Sequence, residues 1–214
     1  LLRARYSALI VSGHWREGDE RKSVAHLLGR RVDGIILLTS CLPDRELINL
    51  SHSVPLVVTG RSVRGDRIFC LDVDSTEGAR LATAYLVGQG HRRIAFLSGP
   101  ADHPDALQRL DGYKAALAAS KIAFSRQLVA YGDYSESGGH RAMNELLDSR
   151  VEFTAVFAAN DQTAGGAMLA LYRRGLRVPD DVSVVGFDDL AASAFTIPPL
   201  TTVHRSIDEI GEGA

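Results

Sequence analysis

Cysteine is scarce in this sequence. Cys41 and Cys70 are the two among 214 residues. They show no metal-ligand spacing and give no disulfide framework, so a reducing, cytoplasmic setting is expected. Long apolar runs are missing too. No stretch reaches the ~18 residues that a transmembrane helix requires, and no membrane partner is expected. Excess positive charge is absent: 24 Lys and Arg stand against 26 Asp and Glu, a net charge of −2. Modules that grip phosphates are usually basic, so nothing here argues for direct DNA binding by this segment. Catalytic signatures are lacking as well. There is no G-x-S-x-G elbow, no P-loop and no G-x-G-x-x-G after a strand. His14, His91, His103 and His140 are scattered without metal spacing. The run Asp102-His103-Pro104-Asp105 gathers a histidine and two carboxylates, but in an expected loop. Neither an enzyme, nor a metal site, nor a cofactor is expected. What the chain does have is a globular composition, 45% hydrophobic, long enough for one large domain or two small ones.

The most informative stretch is 151–189. Thr154 to Phe157 is a β-branched and aromatic run suited to a buried strand. Asn160 or Asp161 suits a helix N-cap. Ala164, Ala167, Met168 and Leu171 then place one apolar face on a helix. Gly165-Gly166 would weaken that helix, and is expected where its backbone lies close to the sheet. Arg173, Arg174 and Gly175 suit the helix end, and Pro179 stops continuation. Val182 to Val185 is a second buried strand, ending at Gly186-Phe187-Asp188-Asp189. Parallel strands joined by a helix cross over right-handed. Asn160 and Asp188 therefore share one sheet edge, the edge where open α/β sheets bind ligands.

The rest alternates in the same way. Strands are expected at Tyr6 to Val11, Ile35 to Thr39, Pro55 to Thr59, Arg67 to Val73, Arg93 to Leu97 and Leu128 to Tyr131. Helices are expected at Glu17 to Arg31, Pro43 to His52, Asp105 to Ser120 and from Asp133-Tyr134-Ser135 to Ser149. Asp74-Ser75-Thr76-Glu77 reads as a capping box for a helix that stops at Gly90. Leu1 to Arg5 reads as the end of a helix, and Gly211 to Ala214 as the start of another. This alternation gives an α/β fold with parallel sheets and helices on both faces. Roughly ten strands are more than one open sheet of this length carries comfortably. Two Rossmann-like subdomains are expected: residues 1–90, joined by 204–214, and residues 91–203. No Pro/Ser-rich linker and no internal repeat separates them.

Polar residues gather at the expected strand tips and first helical turns: Ser12, His14, Asp74, Ser75, Asp102, Arg109, Asp133, Tyr134, Asn160, Asp161, Asp188 and Asp189. Carboxylates, amides and a forked guanidinium beside one aromatic face suit a neutral polyhydroxylated ligand. Plainer roles stand beside this one. Asn160 and Asp74 could be helix caps alone, Asp188 and Asp189 a solvated turn, Arg109 an exposed helix residue, and Tyr134 a core-edge residue. His91 suits a helix end.

The string TAVFAANDQTAGGAMLALYRRGLRVPDDVSVVGFDD at 154–189, followed by IPPLTTV at 197–203, resembles the effector-binding domain of the lactose/galactose repressor family of bacterial transcription regulators. Further strings agree in order: Gly60-Arg61, Val73-Asp74-Ser75-Thr76-Glu77-Gly78-Ala79, 90–100, and Arg109-Leu110-Asp111-Gly112-Tyr113. The resemblance implies a periplasmic-binding-protein-like pair of α/β subdomains with the effector cleft between them. It implies crossings near Gly90 and near Val203, and a third beyond Ala214. By position, Arg109 matches the arginine that holds the effector's polar groups. Asn160 and Asp188 match residues that contact sugar hydroxyls, and Tyr134 matches an aromatic that packs on the ligand. Asp74, Ser75 and His14 complete the expected effector-binding set. Ser75 departs from the Asn usual at its position.

The implied function is effector-dependent transcriptional control of the repressor type. The signal is a small polar metabolite of the sugar class, bound by a homodimer whose subdomains change their relative angle. The family's helix-turn-helix headpiece, hinge helix and first core strand have no counterpart in this sequence. Operator DNA is thus a partner only through a headpiece outside this chain, and the pocket wall is expected to be incomplete. The alternative is an extracytoplasmic sugar-binding protein of a transporter, which shares the fold; the VGFDD to PPLTTV connection favours the regulator. Asp188→Ala and Arg109→Ala are each expected to weaken effector binding with the fold intact.

Overall fold

The structure, a computed structural model, describes residues 6–71 and 74–205. The chain divides into two compact units, residues 1–73 with 207–214, and residues 74–206. The helical ends expected at 1–5 and at 211–214 lie outside the described residues, as do residues 72–73 of one expected strand.

The first unit contains α1 (Glu17–Gly29), β1 (Ile35–Leu38), α2 (Asp44–Ser51), β2 (Leu56–Thr59) and β3 (Ile68–Leu71). The three strands pair in parallel in the order β1-β2-β3. Leu27, Leu37, Leu47, Leu56 and Val58 form the core between helices and sheet. Glu17, Asp19 and Glu20 occupy the first turn of α1, where carboxylates complement the helix dipole. Glu20 is buried and accepts from the Cys41 amide at 2.9 Å and from the Ser40 hydroxyl. It thereby ties α1 to the loop that follows β1. Burial and that carboxylate push the Cys41 thiol up to about 11, which keeps it a thiol at neutral pH. The strand expected over Tyr6 to Val11 is not formed: the segment is irregular and exposed. Its apolar residues suit a strand, but a strand exists only beside a neighbour that takes its backbone hydrogen bonds, and β1 pairs only with β2 among the described residues.

The second unit contains α3 (Ser75–Gly88), β4 (Ile94–Ser98), α4 (Pro104–Ala119), β5 (Val129–Tyr131), α5 (Glu136–Asp148), β6 (Ala155–Ala158), α6 (Asp161–Arg173), β7 (Ser183–Asp188) and β8 (Thr201–His204). All five strands are parallel, in the order β5-β4-β6-β7-β8. In chain order within the unit that is 2-1-3-4-5, a doubly wound sheet whose order reverses between β4 and β6. The central strands β4, β6 and β7 are almost wholly buried, while the edge strand β8 is half-exposed, as expected of a sheet covered on both faces. One face packs on α5 and α6 through Leu97, Met143, Val156, Ala167 and Leu171. The other packs on α3 and α4 through Ala79, Leu86, Phe96, Tyr113, Phe157 and Phe187.

Two sequence expectations are corrected here. The expected boundary near Gly90 lies instead at residue 74. α3 belongs to the second unit because it packs flat on α4: a Cβ on Gly112 would stand 2.1 Å from the Thr76 carbonyl oxygen. The second correction concerns Gly165-Gly166. A Cβ on Gly166 would meet the Glu136 carbonyl oxygen at 1.9 Å, while Gly165 has open space around it. The close approach is therefore to α5, not to the sheet.

Candidate functional site

At the carboxyl edge of the second unit's sheet, four junctions converge. β7 delivers Asp188 as its last residue. α4 brings Arg109 beneath it, with its side chain only 3% exposed. The Arg109 guanidinium stacks on the Phe187 ring, 4.0 Å from its centroid, and lies 5.8 Å from that of Tyr134. Its Nη1 donates to the Ala159 carbonyl at the end of β6. Its Nη2 faces two carboxylates, Asp188 at 3.6 Å and Asp105 at 4.0 Å. A guanidinium can be buried so deeply because it is paired with charge and covered by π faces.

Asp188 is held under tension by its surroundings. Its φ is +107° and that of Asp189 is +56°, a left-handed excursion uncommon for residues other than glycine. Burial pushes its carboxyl above the usual carboxylate range, against the lowering effect of Arg109 and Arg205. Its Oδ1 has no hydrogen-bond partner among the described residues, and neither do Nε of Arg109 and Oγ of Ser98, both buried.

Tyr134 lies in the turn after β5, also at positive φ, +67°. Its ring packs edge-on against His103, with centroids 5.2 Å apart, and lies over Gly99. A Cβ on Gly99 would stand 2.2 Å from the ring, so only glycine fits there. Burial raises the Tyr134 phenol, which stays protonated. Asn160 is the N-cap of α6: its Oδ1 accepts from the Thr163 amide at 2.9 Å, and its Nδ2 donates to the Tyr134 carbonyl at 3.0 Å. It therefore caps a helix and also fixes the Tyr134 turn. Asp74 caps α3 by accepting from the Glu77 amide at 2.8 Å, and Ser75 is buried behind it. α3 reaches the same edge, since a Cβ on Gly78 would stand 2.7 Å from the Phe187 ring. His14 belongs to the first unit, where it is exposed and its amide donates to the Ser12 hydroxyl at 3.3 Å. The structure thus groups Arg109, Tyr134, Asn160 and Asp188, with Asp74 and Ser75 heading a helix at that edge.

Asp161, another strand-tip candidate, has a structural task. It accepts from the Leu190 amide at 2.8 Å, the Ser193 hydroxyl at 2.6 Å and the Thr202 hydroxyl at 2.5 Å. It pins the 190–202 segment to α6. His103 is the N-cap of α4, its Nδ1 accepting from the Asp105 amide at 3.2 Å. Sequence reasoning missed three site residues. Asp105 precedes Arg109 by one helical turn, an i,i+4 pair that was readable. Phe187 was hidden as one more strand residue. Arg205, 3.8 Å from Asp188 Oδ1, is brought there by the β7–β8 pairing, which no local signal announces. Among the described residues no group of three or more His, Cys, Asp or Glu is placed to hold a metal ion. No described helix is long and apolar enough to cross a membrane.

Residues 83–214 match the periplasmic binding protein-like domain family. The chain is 40% identical over 200 residues to the HTH-type transcriptional regulator GalR of Escherichia coli (strain K12), covering 93% of this chain and 58% of that protein. It thus spans about three fifths of the length of the curated relatives it matches. Among solved structures, it superposes on a sugar-binding transcriptional regulator of the LacI family from Escherichia coli, complexed with phosphate, with a TM-score of 0.81. That pair is 36% identical and covers 92% of this chain and 71% of the other. The transcriptional regulator CelR in complex with cellobiose superposes with a TM-score of 0.80 at 38% identity, covering 90% and 60%. With this fold, this edge geometry and these relatives, the chain belongs to the LacI family of transcriptional regulators and carries its periplasmic-binding-protein-like domain.

Proposed function

We propose that this chain is the effector-binding and dimerisation domain of a repressor-type regulator, and that its effector is a small neutral sugar. The observation that carries this reading is the Arg109–Asp188 pair. The two groups face each other across 3.6 Å, too far for a hydrogen bond, with Asp188 Oδ1 and Arg109 Nε lacking partners among the described residues. A ligand hydroxyl both donates and accepts, so one diol could bridge the two. Carboxylates outnumber cations there: Asp105, Asp161 and Asp188 stand against Arg109 and Arg205. A neutral ligand adds no charge, whereas a phosphorylated one would bring a further negative charge to a buried carboxylate. Tyr134 supplies an aromatic wall and Asn160 fixes it. Asp74, Ser75 and His14 enter the proposed set on the family resemblance.

A homodimer is part of the reading. Tyr172 on α6 and Ile197 are 79% and 95% exposed, and they line one shallow groove with Met168 and Pro198. Large apolar side chains clustered in this way mark protein contact sites. Operator DNA would be engaged by a headpiece outside this chain, with the effector shifting the balance between two arrangements of the domain. The curated relatives and solved structures named above are regulators, which favours this reading over a transporter component. The test is a thermal-shift screen with D-ribose, D-galactose, cellobiose and their phosphates. A neutral sugar that binds the native state raises Tm. A response to phosphates alone would overturn the neutral-ligand reading, and silence across the panel the sugar reading.

A further inference from the structure

We propose that Arg205 is a positioning residue of this site: together with Arg109 it holds the Asp188 carboxylate ionised and fixed as the acceptor for a ligand hydroxyl. The ligand part of this inference rests on the function proposed above.

The geometry is a zipper across the last two strands of the sheet. β7 and β8 pair in parallel with Asp188 opposite His204. At the end of that ladder two consecutive basic residues meet two consecutive acidic ones. His204 Nδ1 lies 2.8 Å from Asp189 Oδ2, and Arg205 Nη1 lies 3.8 Å from Asp188 Oδ1. The two contacts differ in kind. The His204–Asp189 pair is largely in solvent, whereas the Arg205 and Asp188 side chains are 23% and 18% exposed. Water screens the first pair and much less the second.

Two guanidiniums, from α4 and from the end of β8, thus converge on one oxygen at 3.6 and 3.8 Å. Both distances exceed a hydrogen bond, so both cations act on Asp188 by charge and leave its lone pairs available. Among the described residues the groups facing Asp188 come from four segments. α4 presents Arg109 and Asp105, the loop after β5 presents Tyr134, α6 presents Asp161, and β8 leads to Arg205. Asp105 and Asp161 oppose ionisation of Asp188 and burial opposes it most, leaving Arg109 and Arg205 to favour it. Arg109 is divided among Asp105, Asp188 and the Ala159 carbonyl. Among the described residues Arg205 pairs with Asp188 alone, which makes it the more dedicated counter-ion.

The experiment is a carboxyl-carbon NMR titration of Asp188 in the 214-residue chain, assigned with Asp188→Asn, for the parent, Arg205→Gln and Arg205→Lys. D-ribose and cellobiose binding is followed over the same pH range. Removing an opposite charge at this distance is expected to raise the Asp188 midpoint by about one pH unit in Arg205→Gln, and by less in Arg205→Lys. The acid limb of sugar binding should move up with it, and Arg205→Lys, which keeps the charge, should return most of the parent's pH profile, a rescue that a merely structural residue would not show. An unmoved midpoint in Arg205→Gln overturns the inference even if sugar binding is normal. A raised midpoint in a protein that binds neither sugar leaves the counter-ion role standing and counts against the sugar reading. If Arg205→Gln does not fold, Arg205→Lys decides: its midpoint must lie above that of the parent.

Discussion

Arg109 Nη2 and Asp188 Oδ1 face each other at 3.6 Å beneath the carboxyl edge of the second unit's sheet, with the guanidinium stacked on the ring of Phe187, the residue before that aspartate. One strand end therefore supplies both the anion and the surface that carries its cation. A change on either side disturbs the other.

Arg109→Ala is expected to damage the fold as well as binding. From sequence alone the fold would stay intact, but the side chain is buried and its loss strands Asp188, Asp105 and the Ala159 carbonyl. Breaking a buried pair from one side costs about 3–5 kcal/mol. Urea denaturation should show a midpoint far below that of the parent; an unchanged midpoint would mean that Arg109 is not seated as described.

Asn160→Ala removes both the α6 cap and the donor to the Tyr134 carbonyl. Loss of such a cap costs about 0.5–2 kcal/mol. Asn160→Asp keeps the cap oxygen and loses the donor, so by thermal melting it should fall between Ala and the parent. Equal losses in the two variants would assign the whole effect to the Tyr134 contact.

Acid stability should depend on His103. Burial holds its folded-state pKa below the ordinary value, with Arg109 adding to the effect and Asp105 opposing it. The unfolded chain therefore takes the proton first. Stability is full above the ordinary histidine value of about 6.5 and is lost as pH falls below it. Protonation also removes the Nδ1 lone pair that caps α4. His103→Asn keeps a capping oxygen without the titration, so its melting temperature should vary less between pH 7 and 5 than that of the parent.

The exposed Tyr172 and Ile197 should matter to assembly and not to folding. Tyr172→Glu or Ile197→Glu places a charge in the groove that the two residues line. Sedimentation equilibrium should show self-association weakened by roughly a hundredfold, about 2.7 kcal/mol, with the melting profile of the isolated monomer retained. Unchanged association would place the dimer contact elsewhere.

Much of this was legible in the residues because it is local. Strand tips, caps and helix periods are written within a few positions, which is why Asn160 and Asp188 could be placed on one edge from their own strand–helix–strand unit. The boundary at residue 74 was not legible, because a helix that follows a strand reads the same whichever sheet it covers. The contacts of Gly112 with the Thr76 carbonyl and of Gly78 with the Phe187 ring show that α3 packs in the second unit. The strand expected over Tyr6 to Val11 failed for the opposite reason: propensity is local, while a ladder partner is not. Asp161 and Arg205 depend on β7–β8 pairing and on a loop that returns from residue 190, so their roles appear only once distant segments meet.

The central claim is that Asp188 is the acceptor at the heart of an effector site. It is tested most directly by titration calorimetry of one neutral sugar that shifts the melting temperature, with the parent and with Asp188→Asn. Asparagine tolerates the positive φ of this position, so the variant should fold. Losing a hydrogen bond to a charged group costs about 1.5–3 kcal/mol, and the account predicts at least a roughly tenfold loss of affinity in a protein that still melts cooperatively. Equal affinity for the parent and Asp188→Asn would contradict it.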